Sequence, residues 1–107
     1  MPAKRSYLAG PMTGLPEDNY PAFNAEATRL RALGFHVENP AENPRQESWE
    51  GYLRYSIRQM LTCDMVALLP GWNGSRGAVF ERSVALQIGM ALVLADQITG
   101  GLQCVAA

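Results

Sequence analysis

The chain has 107 residues, of which 48% are apolar, enough for one hydrophobic core and one domain spanning 1–107. Its charges nearly cancel, with 9 basic and 10 acidic residues and a net charge of −1. The basic residues are scattered from Lys4 to Arg82 without a dense cluster, which argues against a groove that tracks a nucleic-acid polymer. A domain this small buries only about two-thirds of its unfolded surface, so a partner subunit is expected to complete any deep pocket.

The first ten residues reach turn-forming Gly10 with no long apolar stretch, so they do not read as a secretory signal. No run approaches the roughly 18 apolar residues that a membrane span needs. A cytoplasmic protein is expected. Cys63 and Cys104 stand alone, and the single His36 has no ligand partner nearby in sequence. The two cysteines are expected to be buried reduced thiols, and neither a metal nor an organic cofactor is expected.

Ser6 to Gly10 is a short apolar run closed by Gly-Pro, which predicts a buried first strand and a following loop. Residues 10 to 21 contain two Gly and three Pro and read as loop. Pro21 suits the first position of a helix, where a missing N–H costs nothing. Phe23, Ala27, Leu30 and Leu33 then mark one helical face, and Gly34 stops the helix. Phe35 to Glu38 predicts a second short strand ending at Asn39-Pro40.

Residues 39 to 48 form a polar loop, and Ser48 is placed to cap a second helix. The apolar face of that helix is expected to hold Trp49, Leu53, Ile57, Met60 and Leu61. Met65 to Leu69 is an unbroken apolar run, as in a strand covered on both faces. A loop with three glycines follows at 70–77, then a third helix from Gly77 to about Ala91 with Phe80, Val84 and Ile88 spaced by four. Leu92 to Ala95 predicts a fourth strand, and Gly101 to Ala106 a fifth strand or a frayed tail. Strand and helix alternate throughout. This predicts a doubly wound α/β sheet of the Rossmann or flavodoxin kind, with four to five mostly parallel strands and helices on both faces. In such sheets ligands sit beyond the carboxyl ends of the strands, which draws the loops 10–20, 39–48 and 70–77 around one crevice.

The richest chemistry lies at the third loop-helix junction, Gly71 to Glu81. Its glycines let backbone approach a ligand closely. The helix start offers free N–H groups and partial positive charge. Ser75 is placed either to cap the helix or to hold an anionic or hydroxyl group, and Arg76 adds a cation. Glu81, about one turn in, is expected to be ionised by the helix field and so to serve as nucleophile or base; the bland alternative is a solvated carboxylate paired with Arg76 or Arg82. Asp64 is either a second carboxylate of the site or a turn residue before its strand. Tyr7 is either a packing residue or the hydroxyl that holds Glu81. Tyr20, Trp49, Tyr52 and Trp72 are either base-stacking platforms or core and interface residues.

Taken together, Tyr7-Leu8-Ala9-Gly10-Pro11, Cys63-Asp64-Met65-Val66-Ala67-Leu68-Leu69-Pro70 and Ser75-Arg76-Gly77-Ala78-Val79-Phe80-Glu81 resemble the nucleoside 2-deoxyribosyltransferase family. They also resemble the related nucleoside-5′-monophosphate N-glycosidases. The likeness spans about residues 5 to 95 in the same order, and a branch of short bacterial and phage chains shares the opening from Tyr7 to Gly14. It implies that Glu81 attacks the anomeric carbon of the sugar to form a covalent glycosyl-enzyme, with Tyr7 and Asp64 as its catalytic companions. Gly10, Ser75 and Gly77 would line the sugar-phosphate side, and Trp72 or Trp49 would cover the base. The transferases often carry Asp where this chain has Ser75, whereas the monophosphate glycosidases carry Ser. Ser75 and Arg76 therefore favour a 5′-phosphate, because a second anion would repel it. Pro11 and Thr13 stand where the monophosphate glycosidases have Ser and Arg, which removes one phosphate contact. The resemblance implies a nucleoside or nucleotide as substrate and a homodimer or higher homo-oligomer. Two other readings stay open: a non-catalytic module that binds or senses a nucleotide in the same crevice, and a purely structural interaction domain.

Overall fold

The computed structural model describes residues 4–99, so the expected fifth strand or tail at 101–106 and Cys104 lie outside the described residues. Four parallel strands form one sheet: β1 (Arg5–Ala9), β2 (His36–Glu38), β3 (Met65–Leu68) and β4 (Ala91–Leu94), in the order β2-β1-β3-β4. Three helices connect them: α1 (Tyr20–Ala32), α2 (Trp49–Met60) and α3 (Arg76–Gln87). This is the doubly wound α/β arrangement.

β1 and β3 lie at the centre, and their side chains alternate between two cores, as a period of two requires. Leu8, Met65 and Ala67 face α1, where they meet Phe23, Ala27 and Leu30 together with Phe35, Val37 and Ile98. Tyr7, Ala9, Val66 and Leu68 face the other way, against Met60 of α2 and Ala78 and Ala85 of α3. The helix punctuation follows the sequence. The Ser48 hydroxyl accepts from the Gly51 N–H at 2.9 Å, and the Ser75 hydroxyl accepts from the Ala78 N–H at 3.2 Å. Gly34 ends α1 in the left-handed region at φ 101°, which a side chain would oppose.

The three loops contain short 3-10 turns at Pro16–Asn19, Pro40–Glu42 and Trp72–Gly74. Two helical faces depart from the periodicity. α2 ends at Met60, so Leu61 becomes its exposed C-cap instead of a core residue. α3 buries Ala78, Glu81 and Ala85, while Phe80 and Ile88 stay 48% and 54% exposed. The small alanines let the helix backbone approach the sheet, which the bulkier stripe would prevent. Among the described residues no helix is long and apolar enough to cross a membrane.

Candidate active site

The strand order changes direction between β1 and β3, since β1 leads outward to β2 and β3 leads outward to β4. At such a switch point the loops beyond the strand ends part and leave a crevice. Here the crevice is a cleft of about 570 Å³, within the usual range for small-molecule sites. The loops after β1 and β3, the start of α3 and one side of α2 form its walls.

Six of the eight residues expected at a site line this cleft: Tyr7, Gly10, Ser75, Arg76, Gly77 and Glu81. Tyr7 is buried mid-strand, and its hydroxyl donates to Glu81 Oε2 at 2.6 Å. Glu81 is only 6% exposed. Burial pushes its pKa up to about 7, and the Tyr7 hydrogen bond pulls against that shift. This corrects the expectation of a carboxylate kept ionised by the helix field. Glu81 stands beyond the first turn of α3, where that field has faded, so desolvation dominates. Burial, and then the charge of Glu81, also pushes the Tyr7 phenol well above its usual range, while a hydroxyl contact from Ser56 acts the other way.

Two glycines serve the cleft differently. A Cβ on Gly10 would lie 2.8 Å from the Leu69 Cβ, so glycine is what lets the ends of β1 and β3 draw together. A Cβ on Gly77 would meet nothing within 4 Å, so that glycine keeps cleft space open. Ser75 uses its hydroxyl as acceptor for the α3 cap and keeps its own proton for a ligand. The Arg76 guanidinium lies over the Trp49 ring at 3.9 Å, a cation–π contact that ties the loop to α2. Among the described residues Arg76 forms no ion pair, so its charge is available to an anion.

Asp64 and Trp72 are not on the cleft wall. Asp64 stands at the amino end of β3, where its Oδ2 accepts from the Arg5 backbone N–H at 2.9 Å. Its own N–H donates to the Arg5 carbonyl at 2.8 Å. It closes the ladder at the end of the sheet opposite the cleft, which corrects its expected catalytic role. Trp72 packs against the Tyr7 core with Arg82 over its ring at 5.2 Å, so it does not cover a base from the cleft wall. Trp49, Tyr20 and Tyr52 do line the cleft and supply its aromatic surface.

Two further wall residues, Ser56 and Asp18, were not singled out by motif or spacing. Ser56 sits among apolar neighbours on the inner side of α2, and its only sequence signal is a hydroxyl on a face expected to be buried. Asp18 sits between Glu17 and Asn19, all three with φ between 53° and 61°. Three non-glycine residues in the left-handed region are costly, and Asn19 Nδ2 anchors the turn on the Pro11 carbonyl at 2.9 Å. Asp18 is thus the second carboxylate on the cleft wall. Cys63 lies outside the cleft, half-buried, with burial pushing its thiol up to about 11, which leaves it a poor nucleophile. Among the described residues no group of three or more His, Cys, Asp or Glu side chains is gathered to hold a metal ion.

No curated protein matches the chain significantly. One family model, described as a domain of unknown function (DUF4406), matches residues 4–94, and the chain belongs to that family.

Proposed function

We propose that this protein cleaves or transfers the N-glycosidic bond of a deoxynucleoside or its 5′-monophosphate, with Glu81 as nucleophile. The observation that carries the reading is the buried Tyr7–Glu81 pair, 2.6 Å apart, on the wall of a cleft large enough for a nucleotide. The ordered motifs that resemble the nucleoside 2-deoxyribosyltransferases support it. Ionised Glu81 attacks C1′, the C1′–N bond breaks with its electron pair on the base, and the base takes up a proton from solvent. Water or a second base then attacks C1′, gives its proton to solvent as the C1′–O bond to Glu81 breaks, and releases the Glu81 carboxylate.

Tyr7 orients the carboxylate through its hydrogen bond. Ser75 and Arg76 receive the sugar hydroxyl or phosphate, and Trp49 and Tyr52 offer surfaces for the base. Asp18 takes the place expected of Asp64 as the second acid in the cleft. No metal or organic cofactor enters this scheme. We place the chemistry in the cytoplasm, where nucleotides are abundant and where a free thiol such as Cys63 persists.

Incubation with deoxynucleosides and their monophosphates, followed by chromatography for free base, tests the proposal. Release is expected, and Glu81→Ala is expected to reduce it by about four orders of magnitude. Release that survives this substitution rules out Glu81 as nucleophile. A nucleotide-binding module is the second reading. It is favoured by a Glu81 that is about half protonated near neutrality and so can donate a hydrogen bond to a bound ligand. Tight nucleotide binding by calorimetry without any base release would select it.

A further inference from the structure

Asp18 lines the cleft, yet among the described residues its side chain accepts no hydrogen bond and joins no ion pair. The backbone that carries it is nevertheless firmly held. Glu17, Asp18 and Asn19 occupy the left-handed region in succession, with φ of 53°, 53° and 61°. Each such residue is strained, and the strain persists only where the surroundings over-determine it. Here they do. Asn19 Nδ2 donates to the Pro11 carbonyl at 2.9 Å, the Asp18 N–H to the Leu15 carbonyl at 3.0 Å and the Leu15 N–H to the Met12 carbonyl at 3.1 Å. A solvated acid on a free loop needs none of this. Strain of this kind beside a cleft is a mark of a side chain placed for a ligand.

We propose that Asp18 selects the base: it accepts from an exocyclic amino group, and so favours adenine, cytosine and guanine over thymine and uracil. The inference rests on the reading of the cleft as a nucleoside or nucleotide site and names the bases that site takes. The polarity of the cleft sets the direction of the ligand. Asp18 leads into α1, which packs on the Leu8 side of the sheet, whereas Arg76 opens α3 on the Tyr7 side. Acid and cation therefore reach the cleft from opposite sides. A phosphate is drawn to Arg76 and repelled by Asp18, so the base turns toward Asp18 and the sugar is left to Glu81. Trp49 and Tyr52 offer surface to the faces of a base, and its edge remains for recognition. A carboxylate only accepts. The amino groups of adenine, cytosine and guanine donate to it. Thymine and uracil instead flank their ring N–H with two carbonyl oxygens, which set lone pairs against the carboxylate. The other polar groups of the wall do not make this distinction. Its hydroxyls, Thr13 among them, donate or accept. The Asn43 amide is already engaged with Gln59, donating at 2.8 Å and accepting at 3.0 Å.

Calorimetry on the full chain carrying Glu81→Gln, in which a bound ligand stays intact, tests this with all five bases, each as the deoxynucleoside and as its 5′-monophosphate. Thymine and uracil ligands should bind at least about tenfold more weakly than the best of the other three. Adding Asp18→Asn should bring the five to within about threefold of one another. Asn is at home in the left-handed region and its amide both donates and accepts, so the turn stays and the discrimination goes. Asp18→Ala should level the bases as well. Asp18 is exposed, so the circular dichroism spectrum should be unchanged in both variants. In the chain with Glu81 intact, Asp18→Asn should lower the ratio of kcat/KM between cytosine and uracil substrates by the same factor. A residue that merely shaped the cleft would move both values together. Equal binding of all five bases before substitution, a preference for thymine or uracil, or discrimination that survives both variants overturns the role of Asp18 while the cleft remains a nucleoside site. Binding of none of these ligands removes the nucleoside reading, and this inference with it.

Discussion

Tyr7 and Glu81 share one hydrogen bond in a place that water barely reaches, and the protonation of Glu81 depends on it. Burial favours the protonated acid, and the Tyr7 hydroxyl, donating at 2.6 Å, favours the carboxylate. Tyr7→Phe keeps the ring in its core position and deletes only the donor. The Glu81 pKa should then rise above its value of about 7. A hydrogen bond to a charged group is worth about 1.5–3 kcal/mol, so the rise should be at least about one pH unit. The ascending limb of kcat/KM against pH should move up by that amount, with about a tenfold loss of rate at neutral pH. A limb that stays in place would mean that Tyr7 packs beside Glu81 without tuning it. The expectation that a helix start keeps Glu81 ionised fails for a reason absent from the sequence. The field of a helix terminus is local, whereas desolvation depends on what the rest of the chain folds over the residue.

Some element ends were legible where orientation was not, although α3, read as running to about Ala91, stops at Gln87, and Ala91 opens β4. Gly34, Ser48 and Ser75 each carry a boundary signal with a local cause, and each sits at the boundary it marks. The apolar stripe of α3 was legible as a stripe, but periodicity does not say whether the sheet or another surface takes it. The alanine side won because it packs closer. The position of Asp64 could have been read. An acid directly before a parallel strand lies at the amino end of the sheet, and ligands sit at the carboxyl end. Asp18 could not, because its place in the cleft depends on three consecutive left-handed residues in a Pro-rich loop. The two cleft glycines, equivalent by composition, separate into two roles that mutation can distinguish. Gly10→Ala forces a methyl against Leu69, whose N–H is held by the Ala9 carbonyl at 2.8 Å. It should destabilise the fold by about 1–3 kcal/mol in urea unfolding. Gly77→Ala meets no protein atom, so stability should hold or rise by up to about 1 kcal/mol. If Gly77 clears space for substrate, the same variant should raise KM. An unchanged KM would deny that residue a place in the site.

At the scale of the whole molecule, alternating strands and helices were enough to read the parallel sheet, and the β2-β1-β3-β4 order then fixes where a cleft opens. The same architecture buries Glu81 at that opening, and this should make the stability of the entire fold depend on pH. Below about pH 4.5, where an unfolded glutamate holds its proton, Glu81 is neutral in both states and burial carries no charge penalty. As pH rises toward 7, the folded chain retains a proton that the unfolded chain releases, so stability falls. Above 7 the penalty is complete, at about 3 kcal/mol. Glu38 and Glu42 act in the opposite sense. Hydrogen bonds from His36 to Glu38 and from Arg31 to Glu42 lower their pKa values, so their contribution is present near neutrality and lost on acidification. The fold should therefore be most stable in mildly acidic solution, between the two effects. Glu81→Gln keeps an acceptor for the Tyr7 hydroxyl and removes the ionisation. Its stability should match the parent near pH 4.5 and exceed it by about 3 kcal/mol near pH 8, as read from urea melts at the two values. The same substitution should abolish base release. A variant more stable and inactive would mean that the fold tolerates a buried acid for its chemistry. A variant no more stable than the parent at pH 8 would mean that the folded chain already accommodates the charge, and that burial does not set the protonation of Glu81.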